Sequence, residues 1–166
     1  MKSEEFRALQ APLKDRYKKT PGAALVTLRA EGRIGEGATC KVATGKALVE
    51  AGLHPATGGD GRSACSGDML LEALAACAGV TLSAVATALD IELRGGVVRV
   101  EGDLDFRGTL GISKDAPVGF QSIRLRFELD IAAGEEQVTK LVELTERYCV
   151  VFQTLKRPPE ITVARG

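Results

Sequence analysis

Leu70-Leu-Glu-Ala-Leu-Ala-Ala-Cys-Ala-Gly-Val-Thr-Leu82 is the most apolar stretch of the chain, and its reading decides the fold. Glu72 is the single charge between Met69 and Leu89. Ser66 is a suitable N-cap, and Asp68 falls in the first turn, where a carboxylate suits the positive end of the helix dipole. The pattern predicts a helix from about Ser66 to about Asp90. Residues 70, 74, 77, 81, 84 and 88 form one stripe, and 71, 75, 78, 82, 85 and 89 the next. Both are apolar or small, so this helix is expected to be covered nearly all round. Twenty-one weakly charged residues could span a bilayer by length. Seven alanines, the small or polar Gly79, Thr81, Ser83 and Thr87, and the lack of a flanking basic cluster favour a buried helix and no membrane partner.

Outward from the helix the period changes. Val98, Val100, Leu104 and Phe106 alternate with charged residues through Arg107, and Ile123 to Ile131 alternate strictly with Arg124, Arg126, Glu128 and Asp130. Period two with one wet face predicts antiparallel strands. A second helix is expected at about Glu135–Tyr148, and a closing strand at Glu160–Ala164 after Pro158-Pro159. Upstream, Ala23 to Arg29 reads as a strand, Gly32-Arg-Ile-Gly-Glu-Gly37 as a turn, and Ala38 to Ala43 as a return strand. A possible short strand at Lys46–Glu50 is followed by a glycine-rich loop. The order of elements predicts an α+β fold, with antiparallel sheets packed against two helices. Residues 1–22 are expected to form a helical arm, broken or kinked at Pro12, and 23–166 a single domain.

The 166 residues suffice for a core without disulfide staples. Lys plus Arg and Asp plus Glu both number 22, so the basic footprint of a nucleic-acid binder is missing. Two Tyr, five Phe and no Trp offer no evident stacking platform for bases. Acids near Met1 argue against a signal peptide, and cytoplasmic residence is expected. Four dispersed cysteines (Cys40, Cys65, Cys77 and Cys149) do not form a secreted disulfide scaffold. With no Cys-x-x-Cys and one histidine, His54, neither a zinc site nor a histidine-based triad is indicated. His54 is expected to be exposed, Cys40 packed, and Glu72 solvated or at an interface. Gly58-Gly-Asp-Gly61 lacks the Lys-Ser/Thr of a phosphate loop.

Cys77 lies among alanines, and Cys149 in Arg147-Tyr-Cys-Val-Val-Phe-Gln-Thr-Leu155. The pair is either inert packing or a concealed redox couple. A free thiol, with a pKa of about 8.5, is only a few per cent ionised near pH 7. Lowering that pKa by about two units takes roughly 2.7 kcal/mol of differential stabilisation. Cys77 sits mid-helix among apolar neighbours, which push the wrong way. If it reacts, its activation is imported. Arg33 and Arg62, on glycine-rich segments, are the candidates, with Arg29 less favoured on a strand. Asp68 could hold such an arginine. Cys65, just before the helix, is a rival second thiol.

Leu71-Glu-Ala-Leu-Ala-Ala-Cys-Ala, followed 72 residues after Cys77 by Cys149-Val-Val-Phe-Gln-Thr-Leu-Lys, resembles the osmotically inducible protein C and organic hydroperoxide resistance family. The likeness covers about residues 23–165. It implies a long central helix carrying Cys77 as peroxidatic thiol, with Cys149 as resolving thiol. Arg33 would be the activating arginine and Asp68 the carboxylate that orients it. It further implies an intertwined homodimer with active sites at the subunit interface, a small hydrophobic hydroperoxide as substrate, and no bound cofactor. An external dithiol such as a lipoyl group would serve as reductant. Val150 stands where the family often has Pro, Phe152 where it often has Ser, and Asp68 where Glu is usual. These departures mark a divergent branch. The competing reading is a non-catalytic module that binds a hydrophobic small molecule in the dimer groove, with both cysteines as packing.

Overall fold

The computed structural model describes residues 2–5, 8, 10–11, 19–20, 32–34, 39–43, 48–111 and 113–165, with the backbone alone at 32–34 and 39–43. The chain forms two compact units interleaved in sequence. One comprises Met1–Asp15, Ala73–Arg99 and Leu125–Gly166, the other Arg16–Glu72 and Val100–Arg124. The fold class is α+β, as the order of elements predicts.

In the second unit, β1 (Gly32–Ile34), β2 (Thr39–Ala43), β3 (Leu48–Gly52) and β4 (Ala64–Cys65) form a sheet in that order. β1 and β2 are antiparallel, as are β2 and β3, whereas β4 joins β3 in parallel. The expected turn at Gly32–Gly37 therefore begins with a strand, in which Arg33 is opposite Lys41. Glycine at both ends obscured that short strand, because glycine carries no side-chain signal of periodicity. The expected strand at 23–29 and Pro12 lie outside the described residues; residues 3–5 are helical.

Helix α1 (Ser66–Ala88) carries the Leu70–Leu82 stretch; Ser66 is its first helical residue, and it ends two residues before the expected Asp90. By length and composition alone it could cross a membrane. Its buried residues are Leu74, Ala78, Leu82 and Ala86, a single row at spacing of four. The expectation of all-round cover is thus corrected. Val80 is 72% exposed and Leu70 38% exposed. Small side chains reach less far from the helix axis, so an alanine-rich surface does not itself demand a neighbour on every side.

β5 (Leu93–Asp103) and β6 (Ser122–Ile131) form a two-stranded sheet. Its cross-strand ion pairs, Arg94–Asp130 (3.6 Å) and Arg99–Glu128 (2.8 Å), descend along one strand as they ascend the other, the order of an antiparallel pair. β5 ends three residues before the expected continuation to Phe106. The Asp105 carboxylate accepts from the Arg107 N–H and caps a short helix, α2 (Phe106–Thr109). Local capping by an Asp side chain competes with strand extension.

α3 (Glu135–Tyr148) matches its expected bounds and opens with Glu135 and Glu136. In the first unit, Leu82 and Ala86 of α1 meet Leu141 of α3, and Val85, Ile91, Leu93, Phe127, Leu129 and Ile131 pack around them. The alternating strand residues thus supply the sheet side of this core. α4 (Val150–Lys156) follows at once, with Cys149 as both the C-cap of α3 and the N-cap of α4. The closing strand expected at Glu160–Ala164 does not form within the chain; residues 158–165 have no regular structure. Ile161 is 80% and Val163 94% exposed. Alternation makes a segment competent for a sheet, but a strand also needs a partner for its peptide groups.

Candidate functional site

The corner between α3 and α4 places Cys149. Its φ of −72° and ψ of 110° interrupt the helix, so that α4 starts afresh at Val150. The first peptide N–H with a partner inside α4 is that of Gln153, which donates to the Cys149 carbonyl at 2.9 Å. The N–H groups of Val150 and Val151 are therefore available to another acceptor. Gln153 also ties the corner down, its side-chain amide donating to the Glu146 carbonyl at 2.7 Å. Cys149 is fully buried.

Cys77, half-buried on α1, receives these donors, and its thiol is within hydrogen-bonding reach of Cys149. Burial disfavours the Cys77 thiolate. The N–H of Val151, the Cys149 thiol, the N–H of Val150 and the Thr81 hydroxyl together outweigh burial and hold its pKa below that of an ordinary thiol. Cys149 moves the other way. Burial is the main cause; the N–H of Phe152 opposes it, and the neighbouring Cys77 sulfur adds to the rise. One thiol is thus disposed to ionise and its partner to keep its proton. Both are free, as is Cys65.

Among the described residues, the groups that lower the Cys77 pKa are neutral dipoles, most of them brought from the α3–α4 corner. Sequence reasoning missed them. Peptide groups have no sequence signature, although Thr81 was legible as the residue one turn beyond Cys77 on the same stripe. The side chain of Arg33 and all of Arg29 lie outside the described residues. Arg62 is exposed and lies 3.7 Å from Asp60.

Asp68 stands in the first turn of α1 and lines a separate cavity of about 340 Å³ in the second unit, with Cys65, His54, Leu71, Phe106 and Phe120. His54 is partly covered rather than exposed. Its ring stacks on Phe106 at 4.9 Å, and its Nδ1 accepts from the Ala56 N–H at 3.0 Å. Glu72 is exposed. Cys40 lies in β2, where its side chain is outside the described residues.

An α+β fold whose long apolar helix presents one cysteine to a second at a helix–helix corner defines a two-thiol class of protein. The chain belongs to the OsmC-like family: the family model described as "OsmC-like protein" matches residues 59–164. No curated protein matches the chain in sequence. Among solved structures, an OsmC-like protein from Mycoplasma pneumoniae is similar, at 17% identity over 80% of this chain and 89% of that one, with a TM-score of 0.68. An organic hydroperoxide resistance protein OsmC from Legionella pneumophila is 18% identical over 81% and 92%, with a TM-score of 0.63. An organic hydroperoxide resistance protein from Elizabethkingia anophelis is 16% identical over 81% and 91%, with a TM-score of 0.61. At these identities the likeness establishes the shared fold.

Proposed function

We propose that the protein is a thiol-dependent peroxidase acting on organic hydroperoxides, with Cys77 as the peroxidatic and Cys149 as the resolving thiol. The observation that carries this reading is the contact of the two thiols with their acidities displaced in opposite directions. The descriptions of two of its structural relatives as organic hydroperoxide resistance proteins support the substrate class. A packing role requires no contact between the sulfurs and no donors directed at either.

In the proposed cycle the Cys77 thiolate attacks the outer peroxide oxygen. The O–O bond breaks, the alkoxide leaves and takes up a proton as an alcohol, and Cys77 becomes a sulfenic acid. The Cys149 sulfur then displaces hydroxide from Cys77, forming a disulfide and water. An external dithiol, for which a lipoyl group is one candidate, reduces the disulfide by two electrons. A raised Cys149 pKa suits this order, since a second thiolate beside the first would oppose ionisation of Cys77. Arg33, oriented by Asp68, is proposed to add to the activation of Cys77. The protein is further proposed to act as a homodimer with the thiols near the subunit interface. The open position Val80 on α1, with Ile161 and Val163, is apolar surface that a second copy would cover.

The test is consumption of cumene hydroperoxide against hydrogen peroxide with a dithiol reductant. Wild type should turn over, preferring the organic peroxide, and Cys77→Ser should be inert. Cys149→Ser should stop after one turnover with a trapped sulfenic acid. Equal rates in wild type and Cys77→Ser would eliminate the mechanism.

A further inference from the structure

The cavity beside Cys65, of about 340 Å³, lies within the second unit and holds neither thiol of the proposed cycle. Small-molecule sites begin at about 300 Å³. Two glycines shape this one. The Phe120 ring lies on the bare backbone of Gly102, where a Cβ would come within 2.5 Å of the ring edge. At Gly67, in the first turn of α1, a Cβ would stand 3.6 Å from each of Cys65 Sγ, Leu104 Cδ1 and Phe120 Cζ. That is ordinary van der Waals contact, and the φ of Gly67 is not left-handed. Alanine would therefore fit there, form helix more readily and fill the gap as close packing favours. Glycine keeps the gap open.

We propose that this cavity binds a small neutral aromatic molecule with one acceptor oxygen, its ring against Phe106 and Phe120 and its oxygen accepting from His54. The aromatic wall suits a ring in offset or edge contact. His54 stacks on Phe106 at 4.9 Å, and its Nδ1 accepts from the Ala56 N–H. The neutral imidazole therefore carries its proton on Nε2, which is a donor. Charge narrows the class further. Among the described residues, the charged groups lining the cavity are Asp68 and Asp103, which oppose an anion. Asp103 already accepts from Arg124 at 2.9 Å and Asp68 is exposed to water, so a cation has little to gain.

The test uses acetophenone as the probe on the full chain, with binding followed by saturation-transfer NMR. The site is located by the rate at which N-ethylmaleimide alkylates Cys65, resolved by peptide mass spectrometry. Acetophenone should bind saturably and slow alkylation of Cys65 while leaving that of Cys77 unchanged. Benzoate and benzylamine should do neither. Gly67→Ala plugs the gap, and should abolish binding without lowering the melting temperature; Gly67→Ser is a second plug, should alanine disturb the start of α1. His54→Phe keeps a ring on Phe106 and removes the donor, and should weaken binding by about three- to tenfold. Absence of saturable binding, or undiminished binding in a folded Gly67 variant, overturns the proposal. Benzoate or benzylamine protecting Cys65 as well as acetophenone does would overturn the ligand class. Cys77→Ser should bind the probe as wild type does, so failure of the peroxidase reading and failure of this site are separate results.

Discussion

Replacing Val150 with proline deletes a single peptide N–H at the place where the structure directs one toward Cys77. Proline is accepted at the first position of a helix, where its fixed φ suits the turn and no intrahelical bond is lost. Cys149, the residue before it, already has extended backbone (φ −72°, ψ 110°), which a following proline requires. The Val150 side chain is 69% exposed, so little packing is lost. The variant therefore removes a donor and leaves the corner intact. A hydrogen bond to a charged acceptor contributes roughly 1.5–3 kcal/mol. Cys77 has several donors and is only half-buried, so screening by water brings the expected loss to about 1 kcal/mol. That corresponds to about fivefold less thiolate near neutral pH. The assay is alkylation of each cysteine against pH, resolved by peptide. The Cys77 midpoint should rise in Val150→Pro, while Cys65 is unaffected. An unchanged Cys77 midpoint, with an unchanged melting curve, would refute the claim that the Val150 peptide stabilises the thiolate.

Three further outcomes follow from the packing and the thiol pair. Leu141→Ala, which empties a fully buried site against Leu82 and Ala86, should cost about 2–5 kcal/mol by urea unfolding. Gly102→Ala places a Cβ 2.5 Å from the Phe120 ring, so the ring must move, at a cost of about 1–3 kcal/mol in the same measurement. Cys149 has a pKa raised above its unfolded value of about 8.5, so its neutral burial stabilises the fold below that pH. This contribution should fade as pH rises through the folded value. Melting temperature should accordingly fall on the alkaline side, and fall less steeply in Cys149→Ala.

Much of this architecture is legible in the chain because long elements carry repeated signals. α1 announces itself through Ser66, Asp68 and an unbroken apolar run, α3 through its acidic first turn, and β6 through strict alternation. The failures share a physical cause. The strand at Gly32–Ile34 is short and glycine-bounded, Asp105 caps a short helix where β5 was expected to continue, and Glu160–Ala164 alternates without a strand partner among the described residues. In each case the outcome depends on a local hydrogen bond or a partner, which periodicity does not encode. The candidate site divides in the same way. Cys77 and Cys149 stand out by residue type and context, and the need for imported activation follows from the mid-helix position of Cys77. That the described donors include the Val150 and Val151 peptide groups depends on how α3 breaks at Cys149, a backbone event that residue types alone do not specify.

The central claim is that Cys77 and Cys149 form one redox unit. Peptide mapping under non-reducing conditions, after one equivalent of cumene hydroperoxide is added to the fully reduced protein, tests it most directly. The predicted product is a single Cys77–Cys149 disulfide formed mole for mole with peroxide, with Cys40 and Cys65 still reduced. Recovery of Cys77 and Cys149 as free thiols, or oxidation centred on Cys65, would contradict it.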